Sequence, residues 1–272
     1  MSDVVVVTSR RDAARDLRDL WAFRELVWAF ALRDVKVRYK QTIIGVVWAL
    51  IQPVVTMVIY AITFGRVAKM PSDGIPYPLF SYVGVLFWTL FATSLTSAST
   101  SLINNDGIVK KAFFPRLALP LSSVAVSLVD FVFSTSCLFG LMAYFHVRPT
   151  WIGVLALPVL AAWTALASLG LGIFLAALNA KFRDVRYALP FFIQLAVFVS
   201  PVIYPAAIFR GHAWILALNP MTGVIEAARY LLFGAGTIDA PVMMTSILTS
   251  VVSLLFGYAY FVRSQQALVD IL

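Results

Sequence analysis

Charged residues are scarce in this chain. Asp, Glu, Lys and Arg make up 12% of its 272 residues, whereas hydrophobic residues make up 61%. A soluble domain usually carries about 25% charged residues. Because this chain has too little polar surface to face water all round, we expect lipid to surround most of its length.

Residues that build catalytic and metal centres are scarce as well. The single cysteine, Cys137, excludes an intramolecular disulfide, and the two histidines, His146 and His212, fall in separate predicted loops. The sequence has no H-E-x-x-H, no Ser/His/Asp set and no pair of catalytic carboxylates. These absences predict that the chain is not an enzyme and holds no metal.

An ATP-binding signature is also missing. The sequence contains no G-x-x-x-x-G-K-[ST] and no Gly-Lys dipeptide, so the P-loop mode of phosphate binding is excluded. We therefore expect no cofactor on this chain. If it takes part in active transport, ATP and Mg²⁺ must bind to another subunit.

Six long apolar stretches dominate what is present. A helix needs about 20 apolar residues to cross the hydrocarbon core of a membrane. The sequence therefore predicts an all-α membrane protein with six transmembrane helices in one domain, 1–272. No internal repeat that would mark an inverted-repeat secondary transporter is visible. The predicted spans are 43–64, 79–102, 117–145, 151–178, 187–203 and 241–262.

The positive charges predict the orientation of these spans. The formal net charge is +8, and nine of the 21 Lys and Arg residues precede the first span. Cytoplasmic segments accumulate Lys and Arg, and no cleavable signal sequence is visible. The N-terminus is therefore expected in the cytoplasm, and an even number of spans returns the C-terminus there. This distribution explains the charge without a nucleic-acid partner.

Residues 16–41, before the first span, mix charged and large apolar side chains. Leu20, Phe23, Val27 and Phe30 recur at helical spacing, which predicts an amphipathic helix in the cytoplasmic interface. The alternative interpretation is a basic tail that touches lipid phosphates.

Residues 204–240, between the fifth and sixth spans, form a long and apolar connection. Asn219, Pro220, Gly234 and Gly236 interrupt it as helix breakers. The pattern predicts two short re-entrant helices that dip into the periplasmic side of the membrane, with their backbone packed on protein. The alternative is a periplasmic loop, which the hydrophobicity disfavours.

Asp130 is the clear ionisable exception within the predicted spans. An intramembrane carboxylate is costly and is a candidate functional group. In a structural interpretation, Asp130 bonds to nearby hydroxyls such as those of Ser127 or Ser134. In a functional one, it couples transport to an ion, although no basic partner within a span accompanies it.

Five motifs, in order over about residues 33–221, carry a family resemblance. The stretch RYKQTIIGVVWALIQP at 38–53 resembles the motif that opens the first span in permeases of ABC exporters of polysaccharides and polyol phosphates. That family serves O-antigen, capsule and teichoic-acid export. The further similar motifs are KAFFPR at 111–116, LNAKFRDV at 178–185, SPVIY at 200–204 and LNPM at 218–221.

The resemblance implies an assembly in the bacterial inner membrane. Two copies of the chain would pair with two copies of an ATP-binding-cassette subunit. That subunit would contact the amphipathic helix, the loop between spans two and three, and the loop between spans four and five. For the basic residues of the second segment, the alternative is ordinary cytoplasmic charge. The implied contact residues are Arg24, Arg33, Asp106, Lys110, Lys111, Arg116, Phe182, Arg183 and Asp184.

The implied cargo is a lipid-linked polysaccharide that moves from cytoplasm to periplasm. Sugars present hydroxyls and apolar C–H faces, which suits a path with aromatic side chains and few charges. A lipid-facing aromatic belt is the competing explanation. The candidate path residues are Tyr60, Tyr82, Phe87, Trp88, Phe91 and Asp130, and the candidate periplasmic gate comprises Arg210, Asn219, Pro220, Met221 and Arg229.

Three other functions stay open at this point. The same fold could carry a drug or a lipid as an ABC permease. The chain could also be an ion-coupled secondary transporter that uses Asp130, or a membrane-embedded enzyme of glycolipid synthesis.

Overall fold

The computed structural model of the protein describes residues 13–40, 46–111, 114–182, 184–209, 215–216 and 218–271. Regular structure in these residues is entirely helical, which confirms the predicted all-α class. The helices are α1 (Ala13–Ala22), α2 (Arg24–Lys40), α3 (Val46–Tyr60), a π-helix (Ala61–Val67), α4 (Tyr77–Asn104), α5 (Asp106–Val109), α6 (Ala118–Tyr144), α7 (Trp151–Lys181), α8 (Val185–Val199), a 3₁₀ turn (Ala206–Phe209), α9 (Pro220–Phe233) and α10 (Ala240–Ile271).

Five helical segments in the described part of the chain are long and apolar enough to cross a membrane. They are Val47–Val67, Tyr77–Asn104, Ala118–Tyr144, Trp151–Lys181 and Ala240–Ser264. The predicted fifth span, 187–203, corresponds to α8, which has only 15 residues. The helix ends at Val199, and the backbone is extended at Ser200, although apolar residues continue beyond it. A total of six spans therefore stays a prediction.

Local sequence signals set several helix ends. Thr150 caps α7, because its hydroxyl accepts a hydrogen bond from the Gly153 amide at 3.0 Å. Asn219 caps α9 through a bond from the Met221 amide, also at 3.0 Å, and Pro220 occupies the first helical position. The same helix ends at Gly234, whose positive φ of 66° suits glycine.

Helix α4 forms the centre of the bundle. It packs on α6 and on α7, and most of its side chains are buried. Helix α7 also packs on α10, where a Cβ added at Gly257 would overlap the carbonyl oxygen of Gly170. Small residues at such crossings let helix backbones approach closely in membranes. The buried core is formed mainly by α4, α6, α7 and the short α9, and α10 packs on α7 from outside it.

Helices α3 and α8 lie at the edge of this core. Helix α3 packs mainly on α4 and α6, and α8 makes only light contact with α4 and α7. Large apolar side chains on both helices stay exposed within the single chain. They are Val47, Trp48, Ile51, Val55, Val58 and Ile59 on α3, and Phe191, Phe192, Leu195, Phe198 and Val199 on α8.

The predicted interfacial helix at 16–41 is two helices. The chain turns at Phe23, whose carbonyl accepts hydrogen bonds from the amides of Leu26 at 3.0 Å and Val27 at 3.1 Å. Helix α2 then packs along α6 and buries Phe30 and Ala31, while α1 carries the exposed Trp21. Only the part of the segment that meets α6 is thus fixed by packing.

The bundle has two distinct ends. At the α2 end, α4 and α7 finish side by side, and Asn179 Nδ2 donates to the carbonyl of Ser99 at 3.1 Å. At the opposite, α9 end, Tyr77 Oη in the first turn of α4 donates to the carbonyl of Ile203 at 2.7 Å. Among the described residues, the predicted ATPase-contact residues lie at the α2 end, and the predicted gate residues lie at the α9 end.

Candidate functional site

A polar cluster lies where α2 meets the middle of α6. Arg38 Nη2 is 2.6 Å from Asp130 Oδ2, and the Tyr39 hydroxyl donates to Asp130 Oδ1. Burial raises the pKa of Tyr39, and the hydrogen bond to Asp130 raises it further. Tyr39 is therefore a neutral donor, and Asp130 is held by one cation and one hydroxyl.

The same turn of α6 also holds α3 and α4. Ser134, one helical turn after Asp130, donates its hydroxyl to the carbonyl of Ala49 in the first turn of α3 at 2.8 Å. The Tyr82 hydroxyl of α4 donates to the Ser134 carbonyl at 2.9 Å. Residues 130–134 thus tie three other helices to α6.

The expected partners of Asp130 were wrong. The local pattern pointed to the hydroxyls of Ser127 and Ser134, but the carboxylate pairs with Arg38 and Tyr39, about ninety positions earlier in the chain. The reason is that α2 packs along α6, so its last turn brings a cation to the depth of Asp130. The structure therefore gives Asp130 a basic partner from outside the predicted spans, and these contacts support the structural interpretation of Asp130.

A small cavity of about 80 Å³ adjoins this cluster. Asp130 and Ser127 line it, together with Trp48 and Gln52 of α3 and Thr93 of α4. Ser127 is 1% exposed, and its hydroxyl has no hydrogen-bond partner among the described residues. A buried hydroxyl without a partner is uncommon and calls for an explanation.

Arg38 and Tyr39 are the functional candidates that the sequence interpretation missed. Both lie in the basic stretch before the first span, whose charge was explained by the excess of Lys and Arg in cytoplasmic segments. The available signal was Asp130 itself, because a carboxylate within a span requires a partner.

The predicted ATPase-contact residues lie at the α2 end, but they are not one continuous cluster. Arg33 Nη2 donates to Asn105 Oδ1 at 2.8 Å and so joins α2 to the α4–α5 turn. Asp106 and Lys110 form an exposed pair at 3.6 Å within α5. Arg24, at the start of α2, donates to the carbonyl of Trp21 in the last turn of α1 at 3.2 Å.

The remaining contact candidates surround these residues. Lys111 and Asp184 are exposed, Arg116 is half-buried and engaged, and Phe182 is exposed with the Lys181 ammonium 5.2 Å from its ring centroid. Arg183 lies outside the described residues. Exposed charges of both signs at this end are therefore accessible to a partner protein.

An open groove of about 700 Å³ separates α2 from the ends of α4 and α6. Arg33 and Arg38 line it on one side, and Ser97, Thr100 and Asn104 of α4 line it on the other. Its walls combine hydroxyl, amide and guanidinium groups with the carboxylates of Asp34 and Asp106. Such a surface can bind polar, hydroxyl-rich groups.

The predicted path aromatics lie mostly inside the single-chain core. Tyr82, Phe87, Trp88 and Phe91 of α4 are buried, and Phe87 packs on Phe131 with ring centroids 5.2 Å apart. Tyr60 of α3 is partly buried against the same core. These side chains therefore support the bundle in this conformation, and their role in a path stays a prediction.

Arg229 of α9 is the largest fully buried side chain among the described residues, and it links several segments at the α9 end. It is 1% exposed. Its guanidinium donates twice to the Phe80 carbonyl at 3.2 Å and once to the Val202 carbonyl at 2.9 Å, and it lies over the Phe80 ring at 3.4 Å. Its Nη1 pairs with Glu226 Oε1 at 3.2 Å. Arg229 is a predicted gate residue, but in this conformation its guanidinium is buried and bonded within the chain.

The buried pair of Glu226 and Arg229 has opposed pKa shifts. Burial raises the pKa of Glu226, and the neighbouring Arg229 limits the rise. Burial lowers the pKa of Arg229 to about 10, with Glu226 opposing the change. Arg229 therefore stays charged at neutral pH and anchors the carboxylate.

Other gate candidates cluster at the start of α9. Asn219 Nδ2 donates to the Ser200 hydroxyl at 2.6 Å and so links α9 to the end of α8. Pro220 and Met221 are buried beside it. Arg210 lies outside the described residues. The part of the chain that the structure describes holds no group of three His, Cys, Asp or Glu side chains suited to a metal ion.

Comparison with known proteins places this geometry in context. A family model for the ABC-2 type transporter matches residues 25–233. The O-antigen export system permease protein RfbA of Myxococcus xanthus is 30% identical over 244 residues, which cover 88% of this chain and 92% of that protein. An RfbA of Klebsiella pneumoniae is 28% identical over 91% of this chain and 95% of its own length. The polysialic acid transport protein KpsM of Escherichia coli is 21% identical over 89% of this chain and 94% of its own.

Proposed function

The chain belongs to the ABC-2 type transporter membrane family, and from this premise we propose that it is the transmembrane subunit of an ATP-driven exporter of a lipid-linked polysaccharide. The cargo moves from the cytoplasm to the periplasm across the bacterial inner membrane. ATP and Mg²⁺ bind to a separate ATP-binding-cassette subunit. This chain binds no cofactor and performs no covalent chemistry.

The observation that carries the proposal is the similarity along nearly the whole of both chains to permeases named for O-antigen export. A second relative, named for polysialic acid transport, is also matched over 94% of its length. The named cargoes are both large glycans, which favours a polysaccharide over a drug or a lipid.

The exposed faces of α3 and α8 support a homodimer. Trp48 and Ile59 of α3 and Phe191 and Phe192 of α8 are each more than half exposed in the single chain. Contiguous apolar surfaces of this kind mark interaction sites or lipid contact. Two copies that meet along these helices would enclose a path that one copy alone does not form.

The charged α2 end supports a cytoplasmic docking site for the ATPase. Helices α2 and α5 carry charges of both signs, and Arg33 fastens them to each other through Asn105. A motor that moves one of these helices would therefore move the other. This orientation also keeps both termini in the cytoplasm, as the positive charges predict.

The test is co-expression with the ATPase that belongs to the system, followed by purification through a tag on this chain and ATP-hydrolysis assays in lipid nanodiscs. We expect one ATPase to co-purify per permease chain. Lys111→Glu should weaken the association about fivefold, because an exposed charge contact contributes about 1 kcal/mol.

Arg66→Glu is the matched control, because Arg66 is exposed at the other end of the bundle. It should leave association and ATP turnover unchanged. If no ATPase associates with the wild-type chain, the exporter proposal fails. Equal losses in both variants would refute the docking site at the α2 end.

A further inference from the structure

The cluster around Asp130 joins the proposed ATPase-contact helix to the helix that carries the exposed apolar face. Helix α2 ends with Arg38 and Tyr39 on the carboxylate of Asp130. The Ser134 hydroxyl, one turn further along α6, holds the Ala49 carbonyl in the first turn of α3. Helices α2 and α3 are therefore both attached to the same turn of α6, through which a movement of one can reach the other.

The ion pair in this cluster is asymmetric. The Arg38 side chain is 43% exposed, whereas that of Asp130 is 11% exposed. Because the Arg38 side chain is partly exposed, it can be solvated when it leaves its partner, so the cost of release falls mainly on Asp130. A buried carboxylate cannot lose its donors without replacement, because an uncompensated buried charge is strongly destabilising. Release of Arg38 is thus feasible only if other donors stand ready.

Ser127 supplies such a donor. It lies three positions before Asp130 on the same helix, a spacing at which helical side chains meet. Its buried hydroxyl has no partner among the described residues and lines the cavity beside Asp130. The cavity, of about 80 Å³, has room for water, and Gln52 and Thr93 provide polar partners for it. Water and the Ser127 hydroxyl can therefore replace Arg38.

We propose that Arg38, Tyr39 and Asp130 form a releasable clasp between α2 and α6, and that Ser127 and water take over Asp130 when the clasp opens. The clasp rests on the proposed function, because it is the ATPase that would move α2. When the clasp is closed, it holds α2 against α6, next to the first turn of α3. Open, it frees α2 and the start of α3, the least buried of the long helices. Arg38 and Asp130 are positioning residues in this scheme.

The experiment uses Ser127→Cys as a reporter in a Cys137→Ser background, which removes the one native cysteine. A membrane-impermeant, water-soluble maleimide measures access of water to the cavity. Ser122→Cys is the control reporter. It lies on the same helix and is fully buried, but its hydroxyl bonds to the Leu119 carbonyl and it does not line the cavity.

In the closed clasp, Ser127→Cys should react slowly. Arg38→Gln should raise its rate at least about tenfold, because loss of a charge-assisted bond shifts a two-state ratio by that order. Tyr39→Phe should give a smaller rise, since it removes only one hydroxyl. Lys36→Gln, an exposed charge on the same helix, should leave the rate unchanged. The Ser122→Cys rate should stay low throughout.

The second arm adds ATP and vanadate to the complex with the ATPase in nanodiscs. Trapping the nucleotide should raise the Ser127→Cys rate in the chain with Arg38 intact. It should add little in Arg38→Gln, where the clasp is already open. Glycan export should fall in Arg38→Gln while ATP hydrolysis persists, because the motor would run without moving α3.

Two results would overturn the clasp. One is an equal maleimide rate at Ser127→Cys in the Arg38→Gln and Lys36→Gln variants. This measurement needs no ATPase and therefore tests the clasp alone. The other is a nucleotide-independent rate in a complex that still exports glycan, which would refute coupling while leaving the exporter function intact. Failure of the exporter function itself would be seen separately, as absence of export and of ATPase association in the chain with Arg38 intact.

Discussion

Replacement of Arg229 by Ala should unfold the α9 end of the bundle. The substitution removes the cation that balances Glu226, whose side chain is 12% exposed, and leaves the carbonyls of Phe80 and Val202 without their donors. Breaking a buried ion pair by removing one partner typically costs about 3–5 kcal/mol. We therefore expect a loss of stability of that size, which is a large part of the total for a protein of this length.

The double substitution Arg229→Met with Glu226→Leu should cost less than Arg229→Ala alone. It removes both charges together, so that no buried charge is left unbalanced. With the single variants Arg229→Met and Glu226→Leu it completes a double-mutant cycle, which measures the interaction energy of the pair.

Equilibrium unfolding in mixed dodecyl-maltoside and SDS micelles, followed by tryptophan fluorescence, provides the measurement. Arg66→Ala serves as the control, because Arg66 is exposed at the same end of the bundle. If Arg229→Ala unfolds at the same SDS fraction as Arg66→Ala, the reasoning about the buried cation is refuted.

Two further substitutions test the packing of the bundle. Gly257→Ala should destabilise the chain by about 1–3 kcal/mol in the same assay, because the new Cβ would overlap the Gly170 carbonyl. Gly140→Ala is the control, because a Cβ at Gly140 meets nothing within 4 Å and should not destabilise the chain. Equal effects of the two substitutions would contradict the close crossing of α7 and α10. Asn219→Ala should lower the stability of the chain by about 1 kcal/mol, because it removes the α9 cap and the bond to Ser200. Asn219→Asp should retain the cap. If the Ala variant is as stable as the wild-type chain, the cap is not needed.

The helical class was predictable because it depends on composition and run length. The α7 helix starts at Trp151, as predicted, since Pro149 and Thr150 form a start signal that is local in sequence. The break at Phe23 was not predictable, because the same apolar spacing fits one helix or two. The short α8 was also missed, since apolar side chains continue past Ser200 although the helix does not.

The candidate site was predictable only in part. Asp130 was identified because a carboxylate in an apolar run is conspicuous in sequence. Its partners Arg38 and Tyr39 were not, because they depend on the packing of α2 along α6, and one-dimensional spacing favours neighbours such as Ser127. The same limit applies to Arg229, whose acceptors Phe80 and Val202 are far away in sequence.

The length of α8 has a consequence for the lipid around the protein. At 1.5 Å per residue its 15 residues extend about 22 Å, whereas the hydrocarbon core of a bilayer is about 30 Å thick. As a membrane-crossing helix, α8 must therefore thin the bilayer beside it, at a cost of a fraction of a kcal/mol per Å. Shorter acyl chains would relieve this mismatch. The thickness of the host membrane therefore acts directly on α8, a helix that makes only light contact with α4 and α7.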